Sequence, residues 1–208
     1  SAGMFIFAPL SQEFIARFGW SQALLVIGGM MVLIPLLAVP LRGNSSSGKT
    51  SQAEIEQSIG EALREAFKYR SFQLLMAGYF VCGFQVVFIG VHMPSYLKDK
   101  GLTPDVATTA LALIGLFNVF GTYAAGVLGQ KMQKKNILSF IYFARALAIS
   151  VFLLAPLTPM SVYIFSSVMG FLWLSTVPPT NAVVAQIFGV AHLSMLGGFV
   201  FFSHQIGS

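Results

Sequence analysis

Apolar runs long enough to cross a bilayer follow one another along nearly the whole chain, and one polar stretch, Arg42 to Arg70, interrupts them. A helix needs about 20 predominantly apolar residues to span the hydrocarbon core. The runs Ser21 to Leu41, Phe72 to Leu97, Asp105 to Gly129, Ile137 to Ala155 and Met160 to Ile187 fit that length. Lipid offers no partner to a backbone N–H or C=O, so each run must be helical. The predicted fold class is therefore an all-α integral membrane bundle. Composition agrees: 56% of residues are hydrophobic and 9% charged, against about a quarter charged in soluble domains. A net charge of +5 would suggest nucleic acid in a soluble protein. Here the basic residues sit in short loops beside apolar spans, so they report topology and no nucleic-acid partner is expected.

In order, Ser1 to Phe18 reads as the second part of a span, ending at Arg17-Phe18-Gly19-Trp20, where Arg and Trp suit an interface. Ser21 to Leu41 is the next. After the polar stretch come a third span, a charged turn at Lys98-Asp99-Lys100-Gly101, a fourth span, a basic turn from Gln130 to Asn136, a fifth, a turn at Pro156-Leu157-Thr158-Pro159, and a sixth. A seventh starts near His192. Both chain ends lie in apolar sequence, as expected of a piece of a longer protein. The division predicted is residues 1–41 as the last two spans of one transmembrane domain, 42–71 as a linker, and 72–208 as a second transmembrane domain. Arg42, Lys49, Arg64, Lys68, Arg70, Lys131, Lys134 and Lys135 fall on one side; Arg17, Lys98 and Lys100 fall on the other. The excess makes the linker and the 130–136 turn cytoplasmic in a plasma (inner) membrane.

Within the linker, Gly43-Asn44-Ser45-Ser46-Ser47-Gly48-Lys49-Thr50 fits the phosphate-loop pattern G-x-x-x-x-G-K-[ST]. That loop binds phosphate only between a buried strand and a packed helix, where its N–H groups converge on the anion. A membrane-length run precedes this one and a single surface helix follows, so no nucleotide partner is expected. The helix is signposted by the capping box Ser51-Gln52-Ala53-Glu54 and by Ile55, Ile59, Leu63 and Phe67 at spacing four. Its stripe is predicted to rest on the inner membrane surface or on helix ends, with a partner protein as the rival use.

Distance from the span ends puts Gln85, Asn118, Trp173 and His204 near the middle of the third, fourth, sixth and seventh spans. Unsatisfied donors and acceptors are costly in hydrocarbon, so a polar layer at one depth is expected either to line a solute site or to bond between helices. Arg145, in the fifth span, either receives an anionic substrate or snorkels and holds loop carbonyls. Pro178-Pro179 interrupts the sixth span and frees a carbonyl, which implies a static kink or a gate. Gly121, Ala125 and Gly129 form a ladder that permits close helix approach. Every Asp and Glu lies in the linker or near an outer helix end, so no acid pair, metal cluster or Ser-His-Asp set is expected at depth. One cysteine, Cys82, allows no internal disulfide. No metal, cofactor or enzymatic role is predicted.

The run Gly126-Val127-Leu128-Gly129-Gln130-Lys131-Met132-Gln133-Lys134-Lys135 resembles the cytoplasmic loop G-x-x-x-[DN]-[RK]-x-G-[RK]-[RK] of the major facilitator superfamily, in its second-half copy. Gly126, Lys131, Lys134 and Lys135 match; Gln130 and Gln133 replace the acid and the second glycine. The resemblance implies spans five to eleven of a twelve-span carrier, and a gating role for those four residues. The phrases Phe18-Gly19-Trp20 and His92-Met93-Pro94-Ser95-Tyr96-Leu97 are similar to the monocarboxylate and oxalate porter branch and its bacterial relatives. That branch's eighth span carries a substrate arginine, which Asp105 to Gly129 does not contain. By the same resemblance Gln85, Asn118, Trp173 and His204 fall on path-lining spans and Arg145 on a peripheral one. The expectation is a secondary transporter that moves a small organic solute, such as a monocarboxylate, by alternating access with protons coupled through His204. An efflux carrier of the same fold, an embedded enzyme and a non-transporting sensor are the alternatives.

Overall fold

A computed structural model describes residues 2–38, 59–189 and 193–208. The described residues form eight helices: α1 (Ala2–Ala38), α2 (Ile59–Ala66), α3 (Arg70–Asp99), α4 (Pro104–Lys131), α5 (Lys134–Leu154), α6 (Pro159–Leu172), α7 (Val177–Phe188) and α8 (Leu193–Gly207). Five stretches are long and apolar enough to cross a membrane: Gly3–Val32, Arg70–Asp99, Pro104–Lys131, Lys134–Leu154 and Pro159–Phe188. The phosphate-loop pattern at 43–50, the capping box at 51–54 and His192 lie outside the described residues.

Two compact units divide the chain, one of residues 9–56 and one of residues 1–8 with 57–208. In the first, α1 is interrupted at Gly19, whose φ of 79° and ψ of 163° lie outside helical space. Only glycine visits that region cheaply, so the break expected between Phe18 and Ser21 falls on the residue able to make it.

In the second unit, turn chemistry sets the helix ends. Gly101, at φ 83°, follows the last turn of α3, and Pro104 opens α4 at a position where a missing N–H costs nothing. Thr158 caps α6 through the N–H of Ser161, whose hydroxyl accepts from the N–H of Thr158. Residues 140, 143, 147, 151 and 154 of α5 are exposed apolar side chains at spacings of three and four, a stripe suited to lipid.

Two helix pairs carry the close packing. In α4 against α6, a Cβ on Gly121 would stand 1.7 Å from the carbonyl oxygen of Phe171, and one on Gly170 would stand 2.7 Å from Ile114. In α3 against α8, a Cβ on Gly83 would meet the His204 carbonyl at 2.0 Å, and one on Gly207 the Phe80 carbonyl at 2.1 Å. Each pair thus has a glycine on both partners, and backbone touches backbone. Of the predicted ladder, Gly121 makes such a contact, Ala125 is buried, and Gly129 meets nothing.

The buried apolar residues form two main clusters. One joins the α3–α4 turn end of α3, α4 and α6 around Met93, Leu97, Ile114, Phe165 and Met169. The other joins α2, α3, α7 and α8 around Phe72, Tyr79, Val184, Leu196 and Val200. Helix α2 belongs to this second cluster: Ala66 is fully buried, and Phe67 makes edge contacts with Phe72 and Phe199 at 5.6 and 6.3 Å. Of the destinations considered for the amphipathic stripe, Leu63 and Phe67 take the helix-end one.

Candidate functional site

The sixth span is two helices, not one bent helix. Proline has no N–H, so Pro178 and Pro179 cannot donate to the carbonyls four residues before them. They sit in the first turn of α7, where the loss is harmless, and the chain breaks between Leu172 and Val177. A break in a buried helix leaves backbone groups that must find other partners.

Those partners are the polar residues singled out at mid-span. Arg145, half-way along α5 and 1% exposed, donates from Nε to the Leu172 carbonyl at 3.2 Å and from Nη2 to the same oxygen at 2.6 Å. Nη2 also donates to the Trp173 carbonyl. Asn118, fully buried half-way along α4, accepts through Oδ1 from the N–H of Leu174 at 3.1 Å. Ser175 donates its hydroxyl to the Phe171 carbonyl at 2.5 Å, and the N–H of Val177 closes onto Leu174. The break is therefore held from two sides: a cation takes the carbonyls α6 leaves open, and an amide oxygen takes an N–H.

Charge follows the same logic. Among the described residues no carboxylate pairs with Arg145, but its guanidinium stands at the C-terminus of α6, where the helix dipole is negative. Its remaining nitrogen, Nη1, donates to Cys82 Sγ at 3.1 Å, and that sulfur lies 3.6 Å from Thr176 Oγ1. Cys82 thus ties α3 to the same joint.

The structure brings Asn118, Trp173 and Arg145 together at the break and leaves the other two residues elsewhere. Gln85 lines a cavity of about 720 Å³ beside Phe84, Phe88, His92, Phe152 and Phe165. His204, on α8, packs its ring 5.2 Å from Tyr79 and 5.6 Å from Phe201. Among the described residues, five buried polar side-chain atoms have no hydrogen-bond partner: Gln85 Oε1, Asn118 Nδ2, Ser166 Oγ, Thr180 Oγ1 and His204 Nδ1. Of the four residues expected to gate, Lys131, Lys134 and Lys135 line a second cavity of about 820 Å³ at the other end of α3, while Gly126 has open space around its Cα. Among the described residues no group of three His, Cys, Asp or Glu could hold a metal.

Sequence reasoning missed Cys82, Thr176 and Ser175 as parts of the joint. The double proline was the available signal, but placing the break needs the identity of the carbonyls it frees.

The model of the Major Facilitator Superfamily matches residues 1–208. The chain is 24% identical over 224 residues to the uncharacterized MFS-type transporter YcxA of Bacillus subtilis (strain 168), covering 99% of this chain and 52% of that one. It is 25% identical over 236 residues to mouse (Mus musculus) monocarboxylate transporter 12, with coverages of 98% and 48%. With the sialic acid transporter NanX of Escherichia coli (strain K12) it shares 26% over 161 residues, 73% of this chain and 38% of that one. The chain spans about half the length of these curated relatives from Bacillus subtilis and mouse. No solved structure matches it with comparable significance.

Proposed function

The chain belongs to the major facilitator superfamily of membrane transporters, and from that membership we propose that it is part of a secondary active carrier that moves a small organic anion by alternating access, coupled to protons. The observation that carries the proposal is the interrupted sixth span, with Asn118 and Arg145 bound to its free backbone groups. Discontinuous helices at mid-membrane are where transporters of several folds bind solute, because half-helix ends present unpaired N–H and C=O groups to a cavity.

In this reading the joint between α6 and α7 is the working part. Asn118 keeps its Nδ2 unpaired, so its amide has a donor to offer a carboxylate while its oxygen holds Leu174. Arg145 supplies positive potential at the same level, although its own donors are engaged with carbonyls and Cys82. Trp173 contributes an apolar wall. Gln85 faces the separate aromatic cavity, which suits the organic part of a solute in another conformer. Low-identity relatives named for monocarboxylate and sialic acid transport support an organic acid as the substrate class.

Proton coupling is assigned to His204, the one histidine among the buried polar residues described and a side chain type that titrates near neutral pH. Tyr79 of α3 is the titratable group packed on it, and Arg145 is the charge whose field reaches it.

The test is uptake of organic acids into liposomes containing the full-length protein under an imposed pH gradient. Asn118→Ala is expected to lower uptake at least about tenfold, the loss of about one charge-assisted hydrogen bond. His204→Gln is expected to flatten the dependence of uptake on pH. Wild-type uptake by Asn118→Ala would overturn the solute site, and an unchanged pH profile in His204→Gln would remove the proton role.

A further inference from the structure

The cavity beneath the α4–α5 turn combines a cluster of lysines with an apolar wall. Lys131, Lys134 and Lys135 line it together, and none of its lining residues is acidic. Among the described residues no carboxylate lies within ion-pair distance of any of the three. The lining also has an apolar part, with Leu74 and Leu75 from α3, Leu138 from α5, and Val183 and Ile187 from α7. Leu74 is 63% exposed, so this wall runs out onto the lipid-facing side of α3.

We propose that this cavity seats one anionic phospholipid, its phosphodiester on Lys131, Lys134 and Lys135 and an acyl chain along Leu74, Leu75 and Leu138. The match is amphiphilic. Ammonium groups at a cytoplasmic helix end bind lipid phosphate as point charges, and Gln130 and Gln133, where the superfamily loop has an acid and a glycine, add neutral amides in place of a repelling carboxylate. A soluble anion would use the lysines and leave the leucine wall wet; a neutral lipid would use the wall and leave three positive charges uncompensated. The volume, about 820 Å³, is within the range that admits a headgroup and the upper part of a chain. Occupation would neutralise the turn that closes the cytoplasmic end, so lipid charge would bear on the conformational equilibrium of the carrier. The seat does not depend on which solute is carried.

The experiment takes the full-length protein in phosphatidylcholine nanodiscs and titrates in phosphatidylglycerol, reading retained lipid by native mass spectrometry and Tm by thermal shift. The expected result is one phosphatidylglycerol per protein and a raised Tm. The variant Lys131→Gln/Lys134→Gln/Lys135→Gln should retain it about tenfold less well, while Lys→Arg at all three positions should retain it as wild type does. Ser139→Trp, which fills the trough without touching the charges, should also lose it. Undiminished retention in the Gln variant or in Ser139→Trp would overturn the proposal. So would displacement by glycerol 3-phosphate or inorganic phosphate at equal concentration, which would make the cavity a seat for soluble anions.

Discussion

Arg145 shows how a residue type can be legible while its job is not. A lone arginine in an apolar span is visible in the sequence, and one of its two expected uses was to snorkel and hold loop carbonyls; the carbonyls it holds belong instead to the break in the sixth span, 27 residues later. Its side chain satisfies Leu172 and Trp173, both buried, so Arg145→Met should leave two carbonyls unpaired, at about 1–3 kcal/mol each. Thermal unfolding in detergent checks this: a marked fall in Tm is expected for Arg145→Met and a smaller one for Arg145→Lys, which keeps the charge but not the fork of donors. Asn118 was read correctly as mid-span and polar, and its use of Oδ1 on a backbone N–H was equally hidden. His204 and Gln85, expected at the same depth as Asn118, do not join it at the break, because depth along a helix says nothing about the face it points to.

Helix boundaries were the most legible feature, since lipid leaves no choice but helix and the turns carry Gly, Pro and charge. Span limits from the sequence lie within about three residues of those found for α3, α4 and α5. The sixth span differs because its hydrophobicity is continuous while its hydrogen bonding is not. Pro178→Ala/Pro179→Ala restores two N–H donors and should let residues 173–176 join a continuous helix. Uptake should then fall about tenfold or more while Tm holds or rises, since each proline in a helix interior opposes continuity by about 3 kcal/mol. Equal uptake in wild type and double variant would make the break a static kink. The glycine contacts allow a sharper test of packing. Gly121→Val places a methyl-bearing Cβ where the Phe171 carbonyl already stands, so the variant should be destabilised by at least about 1–3 kcal/mol, and Gly126→Val, with open space, should not. Comparing the two by thermal shift decides whether backbone contact holds α4 against α6.

Across the chain, family and fold were readable because the apolar runs, the basic turn and the long polar break agree on one architecture, and the family match extends over all 208 residues. The substrate was not readable, because a carrier recognises its solute with a few groups drawn from several helices, and this chain spans about half the length of its relatives. What unifies the account is the claim that the joint between α6 and α7 opens to alternate sides of the membrane. The direct measurement places a single cysteine at Ser175, in a full-length background in which every native cysteine is replaced, Cys82 by a serine whose hydroxyl still accepts from Arg145, and follows its labelling by a membrane-impermeant maleimide applied from each face. The account predicts labelling from one face at rest and a shift to the other when a transported solute is added. A position 175 that stays unlabelled from both faces under every condition would contradict it.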